Sequence, residues 1–119
     1  MKLNLLRHFH SINNEVSTIG HQQMEELRLL LKDKEISCVL ATGHPRVINS
    51  AILFCEMFSL DLEIIPSNVT DCIQRLGVKP EALVLSQQPI LVELANLMSN
   101  KGYEPSHFLT GKLVGVDVA

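Results

Sequence analysis

The sequence predicts a three-layer α/β/α domain in which a mostly parallel sheet of about five strands lies between helices. Short apolar runs alternate with longer segments whose apolar residues recur at helical spacing, which is typical of α/β layered folds. A chain of 119 residues forms one core, and no repeat or linker divides it. Residues 1–119 are therefore interpreted as a single domain.

The composition narrows the class of protein. The hydrophobic fraction is 46%, with one Tyr and no Trp, so the core must be mainly aliphatic. A net charge of -3 argues against a general nucleic-acid or membrane-surface binder, and no apolar run approaches the ~20 residues that span a bilayer. Arg7 and two histidines interrupt the first apolar run, which excludes a signal peptide. The three cysteines form no C-x-x-C pair, which indicates reduced thiols and a cytoplasmic protein.

Five strands follow from the apolar runs, and the last of them alternates apolar and other residues. The strands are predicted at 3–6, 36–41, 62–65, 82–85 and 112–118. A polar loop is expected over 11–15.

Four helices lie between these strands. Ser17 or Thr18 can cap the first, which runs to about Lys32, and Pro45 suits the first turn of the second. The third begins around 66–68 and is expected to stop at Gly77. The fourth follows Pro89, and Lys101-Gly102 is expected to end it.

Polar and basic residues mark three of the strand-to-helix junctions. These are Arg7-His8, the segment 44–46 with Arg46, and the segment 86–89. The carboxyl ends of parallel strands meet at one edge of a sheet, where helix N-termini add N–H donors. A guanidinium binds phosphate oxygens as a planar fork, and a neutral imidazole can attack phosphorus. The pattern indicates a phosphoryl site.

The ordered motifs resemble those of the histidine phosphatase superfamily, which has the phosphoglycerate-mutase-like fold. The family's first strand ends in L-x-R-H-G, and residues 5–9 read L-L-R-H-F. The family's S-S-P-x-x-R-A-x-Q-T-A corresponds to A-T-G-H-P-R-V-I-N-S-A at 41–51, and V-x-H-x-P-x-L corresponds to L-S-Q-Q-P-I-L at 85–91. The ending at 108–116 resembles the last T-G-S-type strand. The small size most resembles the bacterial phosphohistidine phosphatases of the SixA type.

This resemblance implies roles for individual residues. His8 would attack the phosphoryl group and become phosphohistidine, while Arg7 and Arg46 would hold its oxygens. Gln87 occupies the position of the family's second histidine. Because charge-assisted hydrogen bonds are roughly twice as strong as neutral ones, the loss of this charge could lower the rate by about 10²–10³.

Other departures from the family pattern concern the surroundings of this site. Phe9 replaces a glycine, and its ring would narrow the site or exclude a positive φ. His10 and His44 are candidates for supplying the missing imidazolium and for binding substrate, or are ordinary loop histidines. The chain lacks the insertion that supplies a general acid in many relatives. A labile P–N bond needs less acid catalysis than a P–O bond, which favours a phosphohistidine-bearing protein as the partner.

Several classes of function stay open. The leading hypothesis is a phosphohistidine-phosphatase-like enzyme without cofactor or metal. The second is a catalytically impaired pseudophosphatase that binds phosphate or a phosphoprotein, for which Gln87→His should restore activity. The third is a metal-dependent hydrolase built on His8-x-His10, although no further ligand cluster follows at suitable spacing. The last is a purely structural domain.

Overall fold

The strand Leu83–Ser86 lies at the centre of a five-stranded sheet in a computed structural model that describes residues 2–119. The sheet strands are β1 (Lys2–Arg7), β4 (Cys38–Thr42), β5 (Asp61–Ile65), β6 (Leu83–Ser86) and β7 (Leu113–Asp117), and a separate hairpin comprises β2 (Ser11–Ile12) and β3 (Glu15–Val16). The helices are α1 (Thr18–Leu31), α2 (Pro45–Phe58), α3 (Val69–Val78) and α4 (Ile90–Met98), with a 3₁₀ turn at Pro105–His107.

The sheet has the order β5-β4-β6-β1-β7. β4 and β1 flank β6 and both run parallel to it, β5 runs parallel to β4, and β7 is antiparallel to β1. Arg7 is paired with Ser86, and Ala41 with Leu85. The carboxyl ends of β1, β6 and β4 therefore lie side by side, as the sequence predicted.

Two apolar cores separate the three layers. Leu5, Leu40 and Val84 face one core with residues of α3 and α4, whereas neighbouring residues of the same strands face the other core with α1 and α2. Successive side chains of a strand point to opposite faces of the sheet, which explains this alternation. Because helices cover both faces, the central strands are buried on both sides. The predicted α/β/α architecture is confirmed.

The segment predicted as a polar loop is instead the β2–β3 hairpin. Its turn residues Asn13 and Asn14 have φ values of 52° and 66°. A two-residue hairpin favours positive φ at both turn positions, and Asn tolerates this conformation better than most residues. Asn49 Nδ2 donates a hydrogen bond of 2.8 Å to Asn14 O, which holds the hairpin against α2.

Two predicted helix ends are also wrong. Gly77 lies inside α3, which continues to Val78, and the backbone N–H of Lys79 donates to Arg75 O. The fourth helix ends at Met98, before Lys101-Gly102, with the Ser99 N–H bonded to Ala95 O. Gly77 lacks the positive φ with which a glycine commonly ends a helix, so the helix continues through it.

The three cysteines, Cys38, Cys55 and Cys72, are buried as free thiols in the apolar cores. Burial raises the pKa of the Cys55 and Cys72 thiols to about 11, which opposes thiolate formation at neutral pH.

Across residues 2–119, no helix combines the length and the apolar character that crossing a membrane requires.

Candidate active site

His8 lies immediately after β1 and is held through both its backbone and its ring. Its backbone N–H donates to Ser86 O at 3.0 Å, and its ring Nδ1 lies 3.0 Å from Phe9 O. A carbonyl oxygen only accepts hydrogen bonds, so Nδ1 carries the proton in this contact. Nε2 is then left with its lone pair, which is the form required of a nitrogen nucleophile.

The surroundings of His8 favour this neutral form. The residue is only 4% exposed, and burial lowers its pKa below the usual value. The hydrogen bond to Phe9 O acts in the opposite direction, while the positive charges of Arg7 and Arg46, and of His44 when it is protonated, lower the pKa further. Burial and positive charge thus keep the imidazole unprotonated at neutral pH.

Phe9 anchors the loop that carries His8. Its ring is fully buried and packs against Phe54, with the ring centroids 5.7 Å apart. Its backbone N–H donates to Ser50 Oγ at 3.0 Å, and Ser50 is also fully buried. Phe9 has no positive φ, so a side chain is tolerated where the family has glycine. The expected narrowing of the site by this ring is not seen, because the ring belongs to the core.

Arg7 carries an unsatisfied donor. Its Nη1 donates to Phe108 O at 3.2 Å, whereas its Nε is buried and has no hydrogen-bond partner among the described residues. Buried donors in native proteins are almost always paired. An anionic oxygen bound at this edge of the sheet would supply the missing acceptor.

His44 and Arg46 begin α2. His44 is the N-cap residue, and its Nδ1 accepts a hydrogen bond of 3.1 Å from the Arg46 backbone N–H. An accepting Nδ1 carries no proton, so the proton lies on Nε2. His44 can therefore offer a neutral N–H donor while it caps the helix, but a charged imidazolium would lose the capping bond.

The two remaining predicted residues differ in position. Gln87 directly follows Ser86, the residue that binds the His8 amide, and its half-buried side chain makes no hydrogen bond to the described residues. His10 Nδ1 lies 2.6 Å from Ser17 Oγ, within the N-cap of α1. Arg7 and Arg46 thus act on His8 through their charges, His44 caps the helix that carries Arg46, Gln87 follows the strand paired with β1, and His10 lies in a separate network.

Sequence reasoning missed several supporting residues. The hydroxyl of Ser50 holds the Phe9 amide, a role that the sequence analysis did not assign to it. Gly111 N–H donates to both Arg7 O and His8 O, at 3.2 and 3.1 Å, and its φ of 67° favours glycine. The T-G ending could have indicated Gly111, but no local signal marks the hydrogen bond between the buried hydroxyls of Thr42 and Ser86, at 2.9 Å.

The residues that shift the pKa of His8 are basic or neutral, and residues 2–119 contain no cluster of metal-ligating side chains. No carboxylate among residues 2–119 contributes to the pKa shift of His8. The same residues contain no group of three or more His, Cys, Asp or Glu side chains placed to hold a metal ion.

Solved structures with the phosphoglycerate-mutase-like fold of the histidine phosphatases match this architecture. The alpha-ribazole phosphatase from Shigella flexneri aligns with a TM-score of 0.73 and 20% identity, covering 100% of this chain and 91% of that chain. A proposed phosphohistidine phosphatase SixA from Agrobacterium tumefaciens aligns with a TM-score of 0.72 and 16% identity, covering 98% and 90%. Mycobacterial glucosyl-3-phosphoglycerate phosphatase, complexed with VO3, gives a TM-score of 0.63 and 11% identity, covering 84% and 81%.

The resemblance to the histidine phosphatases is confirmed at the level of the fold. No family model matches the sequence, and no curated protein matches it. At these identities the similarity concerns the path of the chain, and a fold by itself does not define an activity.

Proposed function

We propose that this protein is a phosphatase that transfers a phosphoryl group to His8 Nε2 and then to water. The observation that carries the proposal is the His8 ring, whose Nδ1–H is held by Phe9 O at 3.0 Å and whose pKa is lowered by the positive charges of Arg7 and Arg46 as well as by burial. Preorganised donors around a developing negative charge are usually the largest contribution to such catalysis. Two guanidinium groups and the N-terminus of α2 supply those donors here.

The reaction proceeds in two displacements. The lone pair of His8 Nε2 attacks phosphorus, the bond from phosphorus to the leaving group breaks, and Arg7 and Arg46 hold the equatorial oxygens. Water then attacks the phosphoryl group on His8, the P–Nε2 bond breaks, and inorganic phosphate leaves. The Nδ1–H contact with Phe9 O keeps the ring oriented through both steps.

A phosphohistidine on a partner protein is the substrate that this site supports best. A departing alkoxide needs a proton, and the chain lacks the insertion that supplies a general acid in many members of the family it resembles. A phosphorylated imidazole leaves as a neutral ring once it is protonated, so its P–N bond needs less help from the enzyme. The lack of that insertion and the identity of Gln87 are consistent with this substrate class.

Gln87 supports a second candidate function. A neutral amide replaces a cationic donor at this position, and His44 offers only a neutral N–H while it caps α2. The neutral donors of Gln87 and His44 stabilise the charge of a transition state less than a cationic donor would, while still allowing the ground state to bind. The alternative is a pseudophosphatase that binds phosphate or a phosphoprotein without turnover.

One experiment separates these functions. Phosphate release from a phosphohistidine-bearing protein is measured for wild type, His8→Ala and Gln87→His, with exposed His21→Ala as the matched control. Turnover by wild type and the control, but not by His8→Ala, supports the enzyme. If wild type releases no phosphate and the Gln87→His variant does, the result supports the pseudophosphatase.

Binding of inorganic phosphate is measured in parallel with Arg46→Ala. Loss of binding in this variant is expected under either function. If wild type neither turns over substrate nor binds phosphate, or if Arg46→Ala binds phosphate as well as wild type does, the assignment of the site is wrong.

A further inference from the structure

A groove of about 470 Å³ lies at the amino-terminal ends of the parallel strands β4 and β5, whereas His8 follows the carboxyl end of β1. It is formed where α1 and α2 end and where the chain approaches β4 and β5. His44 and Arg46 follow the other end of β4, so the length of that strand separates the groove from the candidate active site. The volume is within the range of about 300–1,000 Å³ that is typical of small-molecule sites.

The groove is lined by apolar and basic side chains, and none of them is acidic. They are Leu29, Leu31, Ile36, Phe58 and Leu60, together with Arg28, Lys32 and Lys34. Three of the ten basic residues of a chain with net charge -3 therefore surround one apolar surface.

The three cations differ in how they are held. Arg28 pairs with Glu25 at 3.2 Å and its guanidinium lies 5.5 Å from the centre of the Phe58 ring, so it is fixed over the apolar floor. Lys32 and Lys34 form no ion pair with any residue in the range 2–119. They are free to bind an anion that enters the groove.

The apolar side of the groove is exposed in the isolated chain. Leu29 is 80% exposed, and Phe58 and Leu60 are only partly buried. A ligand that covers these side chains removes apolar surface from water, which favours binding. A ligand with both an apolar body and an anionic head matches the floor and the two lysines together.

We propose that this groove binds a single-chain alkyl carboxylate, with its chain along Phe58, Ile36 and Leu60 and its head between Lys32 and Lys34. A second copy of the chain is a poor occupant, because a twofold contact through this groove would oppose the same positive charges. A nucleic acid does not match the apolar floor, and the head of a cationic amphiphile would be repelled by Lys32 and Lys34. The proposal is independent of the phosphatase chemistry, since the groove contains none of the candidate site residues.

Decanoate below its micellar concentration is the probe, and decyltrimethylammonium is the probe with the opposite charge. Titration calorimetry gives the affinities, and amide chemical shifts locate the ligand. Decanoate should bind with shifts centred on Leu29 and Leu60, whereas decyltrimethylammonium should not bind. Equal binding of the two probes, or shifts centred elsewhere, would overturn the proposal.

The double variant Lys32→Gln/Lys34→Gln should weaken decanoate binding by about tenfold or more, because it removes both charge-assisted contacts. Lys101→Gln/Lys112→Gln is the control, since it removes the same charge from exposed positions outside the groove. An equal loss in the control would show a net-charge effect and contradict the site. Leu29→Glu, at a position too exposed to affect folding, should weaken binding as well. If sedimentation shows that decanoate acts only by dissociating a dimer, the groove is a contact between copies and the proposal fails.

Discussion

The backbone N–H of His8 donates a hydrogen bond of 3.0 Å to the carbonyl oxygen of Ser86. This contact continues the parallel β1–β6 pairing by one residue beyond the Arg7–Ser86 pair. It joins the loop that carries the candidate nucleophile to the loop that carries Gln87. The two loops therefore keep a fixed relative position, which a shared phosphoryl group requires.

The capping role of His44 leads to a prediction about stability and binding. His44→Ala should lower the free energy of unfolding by about 1 kcal/mol, because the Arg46 N–H loses its acceptor. His44→Asp should keep the cap and most of the stability, but should weaken phosphate binding by placing a negative charge beside Arg46. Urea denaturation and phosphate titration measure the two effects. Equal destabilisation by Ala and Asp would show that the ring does not cap α2.

The lowered pKa of His8 predicts how stability depends on pH. In the unfolded chain His8 titrates near 6.5, and burial places its folded pKa below that value. Between the two values the unfolded chain binds more protons, so this contribution to stability is complete above about pH 6.5 and is lost as the pH falls towards the folded pKa.

His8→Asn should remove this part of the pH dependence. Urea denaturation at about pH 7.5 and about pH 5.5 should therefore show a larger loss of stability on acidification for wild type than for the variant. His21→Asn, at an exposed position, should behave as wild type does. Identical losses for wild type and His8→Asn would contradict the buried, neutral state of His8.

Ser50 should stabilise the His8 loop through Phe9. Ser50→Ala leaves the buried Phe9 N–H without an acceptor, which should lower the free energy of unfolding by about 1–3 kcal/mol. Ser106→Ala, at an exposed position, should change it little. Thermal and urea denaturation compare the two variants. If Ser50→Ala leaves the free energy of unfolding unchanged, the hydroxyl of Ser50 does not stabilise the His8 loop.

Two helical glycines should respond in opposite directions to alanine. At Gly20, in α1, an added Cβ would collide with His10 O and lie 2.6 Å from Val16 Cγ1, so Gly20→Ala should destabilise the fold. At Gly77, in α3, nothing lies within 4 Å, so Gly77→Ala should stabilise it by about 0.5–1 kcal/mol. Urea denaturation of both variants checks the prediction. Stabilisation by Gly20→Ala would show that the hairpin does not pack closely on α1.

Periodicity located the main elements because it reports burial directly. The run 82–85 has no polar residue to interrupt it, and it forms the central strand β6. The polar composition of 11–16 concealed a hairpin, since two strands of two residues are too short to show alternation. The end of α3 was misplaced because a glycine commonly ends a helix by adopting a positive φ, and residue identity does not show whether it does so. Gly77 has no positive φ, and α3 continues through it.

The sequence alone determined the layered α/β/α architecture, the order of the junctions, and the residues Arg7, His8, Arg46 and Gln87 as candidates. These properties depend on local patterns and on residue identity. Only the tertiary structure decided which ring nitrogen of His8 is free, that His44 caps a helix, and that His10 belongs to another network. Each of these depends on hydrogen bonds whose partners are set by the packing of whole elements, and residue identity alone does not specify them.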